Sequence, residues 1–158
     1  MFVKTLDRLT LTACAGLTLA LLLAWAQPSH ALLGLFSGPT SLTPVNGSVS
    51  FPLADLQDGK AHFYAVAAGG KEVRFFAVKT ADGRVRTALD ACDVCYPEKK
   101  GYRQEGDFVV CTNCGRRFHM TMVGDVRGGC NPSPLASTVE GDAVRINLGD
   151  IAAGAAFF

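Results

Sequence analysis

Past residue 48 the apolar residues come in short runs broken by glycine pairs and Asp-Gly turns, and no segment keeps a helical period for three turns. The run His62 to Ala68 ("HFYAVAA") stops at Gly69-Gly70, and Glu72 to Lys79 ("EVRFFAVK") follows it. Asp82-Gly83 marks a tight turn, after which Val85 to Leu89 continues as a further strand. Phe108-Val109-Val110 leads directly into Cys111. Near the end, Ser137-Thr138-Val139, a turn at Glu140-Gly141-Asp142 and the alternation Val144, Ile146, Leu148 predict a hairpin. This pattern predicts a mainly β domain, a small sandwich or barrel.

One stretch is echoed. "Leu53-Ala-Asp55-Leu56-x-x-Gly59-x-Ala61" recurs as "Leu148-Gly-Asp150-Ile151-x-x-Gly154-x-Ala156", each followed by aromatics. Each copy predicts a single helical turn, capped by Asp55 or Asp150 and closed at the glycine, packing an apolar end on the core.

The N-terminal pattern is different. Lys4 and Arg8 precede an uncharged apolar run from Leu9 to Ala26, and Gln27-Pro28-Ser29-His30-Ala31 ends in an acceptable small-residue cleavage site. Residues 1–31 therefore predict a cleaved signal peptide or, since the run just reaches the lower limit for a span, an uncleaved membrane anchor helix. Cys14 reads as an apolar member of this segment. The following stretch to residue 48, with "SGPTSLTPVNGS" from Ser37 to Ser48, predicts a linker, and residues 49–158 the folded domain. The cysteine-bearing domain is then expected outside the cytoplasm, in the periplasm, either free or held at the inner membrane. No adjacent arginine pair marks a twin-arginine signal.

Charge excludes one class. With 15 Lys and Arg against 14 Asp and Glu the chain has no basic footprint, so no nucleic-acid partner is expected. Lys99, Lys100, Arg103, Arg116, Arg117 and Arg127 surround the cysteines, but Asp93, Glu98, Glu105, Asp107 and Asp125 interleave with them, a mixed rim suited to docking. No Ser/His/Asp or paired-carboxylate constellation stands out, so a carrier is expected more than a catalyst.

The chemistry sits in the cysteines. Cys92 and Cys95, then Cys111 and Cys114, form two C-x2-C pairs fifteen residues apart, and Cys130 follows after fifteen more. That spacing is a metal-site pattern. Thiolates are soft ligands, so the centre is expected to be an iron–sulfur cluster or a single Zn, Fe or Cu(I) ion held by Cys92, Cys95, Cys111 and Cys114. Covalent haem is excluded because Tyr96 and Gly115 stand where histidine would follow each pair. A disulfide-stapled binding domain and a structural zinc interaction module remain alternatives, although five cysteines cannot all pair within one chain. Gly115 after Cys114 permits the turn that aims backbone N–H groups at sulfur. His119, Met120 and Met122 in "FHMTM" are soft or borderline donors beside this turn, or else a strand that alternates Phe118 and Met120 against His119. Cys130, flanked by Gly128-Gly129 and by Pro132 and Pro134, and His119 are candidate additional ligands or neighbours of the centre.

The motifs "ACDVCYP", "KGYRQEGD", "CTNCGRRF" and "GGCNPSPL" together resemble the FtrD-like membrane iron–sulfur family. The resemblance runs from about "KEVRFFAVK" to "VEGDAVRI". It implies a metal or iron–sulfur centre on Cys92, Cys95, Cys111 and Cys114, with Cys130 a further motif cysteine, and partners among membrane redox or iron-transport components. His119 departs from the family pattern. The loop layout is also similar to a Rieske domain, with Cys114 where a histidine ligand would stand. A shared scaffold would then carry an all-thiolate centre, with a potential nearer the roughly −400 mV of plant-type ferredoxins. Against a cluster assembled before export stand the missing twin-arginine signal and an oxidising compartment; a single-metal centre or insertion after export would resolve the conflict.

Overall fold

The computed structural model describes residues 38–158. The expected export or anchor segment, with Cys14, and the first part of the expected linker lie outside the described residues. Among the described residues, no helix is long and apolar enough to cross a membrane.

Among the described residues ten strands make three open sheets: β1 (Thr40–Leu42), β2 (Ser48–Pro52), β3 (His62–Ala68), β4 (Lys71–Lys79), β5 (Val85–Leu89), β6 (Tyr102–Glu105), β7 (Phe108–Cys111), β8 (Arg117–His119), β9 (Thr138–Glu140) and β10 (Ala143–Asn147). The sheet orders are β1-β3-β4-β5, β2-β10-β9 and β6-β7-β8. No sheet closes into a barrel, so the mainly β expectation stands in the form of stacked open sheets. The hairpins turn where sequence chemistry dictates. Gly69 and Gly70, with φ of 58° and 75°, join Ala68 to its partner Lys71 in a two-residue loop.

Part of the expected linker is a strand. Thr40, Ser41 and Leu42 pair in parallel with Tyr64, Ala65 and Val66. Their composition reads as a linker because it offers little to bury, but the open edge of β3 satisfies their backbone groups. Composition alone does not reveal an available edge.

The central sheet is buried on both faces, and β4 is the reason. Val73, Phe75 and Ala77 point into one core with Tyr64 of the neighbouring β3 and with Val49, Phe51, Val144 and Ile146 of the facing sheet. Phe76 and Val78, one residue out of phase, point into a second core with Tyr102, Val109, Met120 and three cysteines. Alternate side chains of a strand leave on opposite faces, so an unbroken Phe-Phe-Ala-Val run marks a strand covered on both sides. Phe51, Tyr64 and Phe75 stack in the first core, with centroids 4.4 Å and 5.3 Å apart along the series. The result is three layers, with the five described cysteines at the third.

The echoed stretch follows two strands that pair with each other, Ser48 opposite Asn147 and Pro52 opposite Ala143. The Leu53 N–H donates to Asp142 O at 2.8 Å, and its counterpart Leu148 N–H donates to Gly47 O at 2.9 Å. After them come a 3-10 turn, Leu53–Leu56, and helix α1, Leu148–Ala153, whose equivalent residues Leu56 and Ile151 are completely buried. The expected aspartate caps are corrected. Pro52 and Asn147 occupy the cap positions, and the Asn147 side chain accepts from Gly149 N. Asp55 and Asp150 sit in the first turn, where a negative charge faces the positive end of the backbone dipoles.

Candidate metal centre

Three loops carry the cysteines, and each is built by local hydrogen bonds. After β5 the chain enters the Cys92–Cys95 loop, where Cys95 N–H donates to Cys92 Sγ at 3.2 Å and Tyr96 N–H to Cys92 O at 3.2 Å. A short 3-10 turn, Tyr96–Glu98, ends at Lys99 in the left-handed region, with φ of 53°. Asp90 closes this loop on itself by accepting from Tyr102 N–H at 2.7 Å. Burial pushes the Asp90 carboxyl up to about 6, against that hydrogen bond and the nearby Arg74. Gly101 makes the closure feasible, because a Cβ there would lie 2.3 Å from Asp90 Oδ2.

The second loop is the tip of the β7–β8 hairpin. Cys111 N–H donates to Arg116 O at 3.0 Å and Gly115 N–H to Cys111 O at 2.9 Å, with Gly115 at φ 73°. This is the sulfur-facing turn that the Cys-x-x-Cys-Gly pattern predicts. The backbone N–H groups of Cys114 and Asn113 face the Cys111 sulfur, and that of Arg116 faces Cys114. Thr112 N–H donates to Gly101 O at 2.9 Å and joins this loop to the first.

The third loop is turned by Gly128 and Gly129, both at positive φ, and closed by Asn131, whose side-chain amide donates to Gly128 O at 2.9 Å. Tyr102 Oη donates to Cys130 O at 2.7 Å. Ser133 N–H donates to Ala91 O at 3.0 Å, and Leu89 N–H to Ser133 O at 2.8 Å. Cys130 is thus stitched to the strand that leads into Cys92.

The five sulfurs fall into two groups that share one member. Cys92, Cys95 and Cys111 bring their sulfurs within 4.8 Å of one another, all three buried, and Cys95, Cys114 and Cys130 do the same nearer the surface. Cys95 Sγ and Cys130 Sγ are 3.9 Å apart. Burial raises the Cys111 thiol to about 11, whereas the Arg116 N–H leads in lowering exposed Cys114 to about 7. The donor set fits a soft metal or an iron–sulfur centre, since it is all thiolate and several sulfurs face backbone N–H groups that stabilise negative charge.

The other candidates lie elsewhere. His119 belongs to neither sulfur group. Its Nδ1 pairs with Thr121 Oγ1 at 2.7 Å and caps the Met120–Met122 turn, and its ring meets Phe108 edge-on. The expected strand ends at His119, and Met120–Met122 is a 3-10 turn with Met120 buried in the second core and Met122 half exposed. His62 pairs with Asp58. Arg103 and Arg117 share Glu105, and Lys100 reaches Glu98, so half of the six basic rim residues pair with the rim's own acids. Sequence reasoning missed Tyr102, Asp90 and Asn113. Tyr102 lies against Cys92, and burial raises its phenol far above the ordinary value, so it stays a protonated donor. Asn113 sits against the Cys95 sulfur. The Thr-Asn between the paired cysteines was the available signal, and it carries no period.

A family model described as "Membrane iron-sulfur containing protein FtrD-like" matches residues 56–158. No curated protein and no solved structure matches the chain. The chain belongs to the FtrD-like family, and its match spans all three layers and all five clustered cysteines.

Proposed function

We propose that the chain is an extracytoplasmic carrier whose iron–sulfur centre, held by thiolates that include Cys92, Cys95, Cys111 and Cys114, exchanges electrons with membrane redox or iron-transport components. The observation that carries this reading is the gathering of five cysteine sulfurs from three loops onto one layer of the fold. Such a centre, when bound, supplies one-electron chemistry at a potential set by its sulfur environment. The protein's own part is to hold the sulfurs and keep water from the inner ones, through Phe76, Val109 and Met120, while Cys114 stays exposed. A buried inner side and an open outer side suit a carrier that a partner approaches from one direction. The mixed charges around the opening would steer that encounter. The Rieske-like loop layout fits the same reading, with loops beside a small three-stranded sheet. The apolar segment at residues 9–26 supports export, with or without retention as an anchor.

Anaerobic purification followed by iron, sulfide and zinc analysis tests the reading. Expected are iron and acid-labile sulfide, visible absorption that bleaches on reduction, and loss of both in Cys92→Ser and Cys111→Ser. Colourless protein loaded with stoichiometric zinc would establish the structural module instead. Protein without metal and with its thiols paired would establish the disulfide domain.

A further inference from the structure

We propose that the five thiolates form a two-metal site in which Cys95 is the shared ligand. Cys92 and Cys111 complete the set of the inner metal, and Cys114 and Cys130 that of the outer one. This rests on the thiolate-metal reading above and adds to it the number of metals and a ligand role for Cys130.

Geometry points this way. A single tetrahedral metal needs four sulfurs, each about 3.8 Å from the others at metal–sulfur distances near 2.3 Å. Neither group takes in a fourth cysteine among the described residues. Three sulfurs around one metal at that distance stand about 4.0 Å apart when the metal lies in their plane. Both trios fall within 4.8 Å, and the Cys95–Cys130 edge, at 3.9 Å, matches. Two trios with a common vertex use all five sulfurs and leave none over.

Charge balance agrees. Five thiolates around two divalent cations leave a single net negative charge. A half-buried site pays heavily for uncompensated charge. The loop bearing Cys130 is also built to hold position, through Tyr102 Oη on Cys130 O and Asn131 on Gly128 O. A cysteine serving only as packing would need no such anchoring beside an exposed sulfur.

Cobalt(II) titration of the reduced, full-length chain under anaerobic conditions provides the test. Thiolate-to-cobalt absorption should rise to an endpoint at two equivalents. The high-spin Co(II) resonance should grow over the first equivalent and fall over the second, because a shared thiolate couples the two spins. In Cys130→Ser the endpoint should drop to one equivalent with the resonance at full strength, and Cys114→Ser should behave alike. Far-UV circular dichroism checks that both variants fold. A wild-type endpoint at one equivalent would overturn the two-metal site, as would an unchanged two-equivalent coupled titration in both variants. An uncoupled resonance at two equivalents would overturn Cys95 as the shared ligand. If the chain took up no cobalt and held no iron, the proposed function would fall with it. Iron content with a one-equivalent cobalt endpoint would overturn this inference alone.

Discussion

Arg86 is a buried charge and holds a loop that leads toward Cys130. Its guanidinium donates to Val123 O at 3.1 Å and to Asp125 Oδ2 at 2.7 Å, and reaches Asp82 on the other side. Asp82 is held down to about 2, first by the Thr80 hydroxyl, then by the Arg84 N–H, with Arg86 contributing less. A carboxylate whose folded value is depressed contributes stability above its ordinary value, 3.8, and loses it as pH falls through about 2. Urea melts at pH 4 and pH 2.5 should therefore show a loss of stability that is smaller in Asp82→Asn. An equal loss in both would assign the acid sensitivity to other groups. Gly101 is the second sensitive position. Its φ of 63° disfavours any side chain, and a Cβ would enter the Asp90 carboxylate. Gly101→Ala should cost about 1–3 kcal/mol or more, the range for overpacking a closed site. Metal content should fall with it, since Asp90 closes the Cys92–Cys95 loop. Full stability of that variant by thermal melting would mean that the loop relaxes freely.

At the scale of elements, β4 links two cores that are separable by mutation. Phe75→Ala and Phe76→Ala should each cost about 3–5 kcal/mol, as large-to-small changes of buried aromatics do. Their consequences for the cysteines should differ. Phe76 packs in the core that holds Cys92, Cys95 and Cys111, so its loss should speed alkylation of these thiols in metal-free protein, while Phe75→Ala should leave the rates close to wild type. Equal acceleration in both would mean that the layers do not open independently. The strands differ in how much of them the sequence reveals. β3 and β5 begin and end where the apolar pattern and the glycine turns place them, because their burial matches their composition. β6 is invisible to periodicity: only Tyr102 of its four residues is buried, and its order comes from pairing with β7, Tyr102 opposite Cys111. β1 is hidden for the same reason. The cysteine loops were legible as a metal pattern because paired spacing and a following glycine are local chemistry. Their division into two sulfur trios was not, since it depends on Thr112 bonding Gly101 and Ser133 bonding Ala91, contacts between segments that spacing along the chain does not encode.

At the scale of the whole described domain, the three layers are stabilised unequally. The two sheets that enclose the first core have long ladders, five residues in β2–β10 and seven in β3–β4. The third layer has only three or four residues per strand and devotes much of its interior to cysteines, so thiolates stand where aliphatic side chains would otherwise fill the core. Bound metal should supply the missing cohesion. Ligand at a hundred times its dissociation constant stabilises the state that binds it by about 2.7 kcal/mol, a roughly hundred-fold change in opening. Removing metal with a chelator should therefore raise hydrogen exchange at Val109, Val110 and the 92–116 loops by about one to two orders of magnitude. The amides of Tyr64 to Val66, Phe75 and Val144 to Ile146 should keep their protection, because their ladders and stacked aromatics do not depend on the sulfurs. Exchange measured residue by residue, before and after chelation under reducing conditions, decides the matter. A uniform loss of protection across all three layers would mean that the domain folds as one cooperative unit with its metal. A confined loss would identify the third layer as a module that the metal itself organises on a scaffold already stable without it.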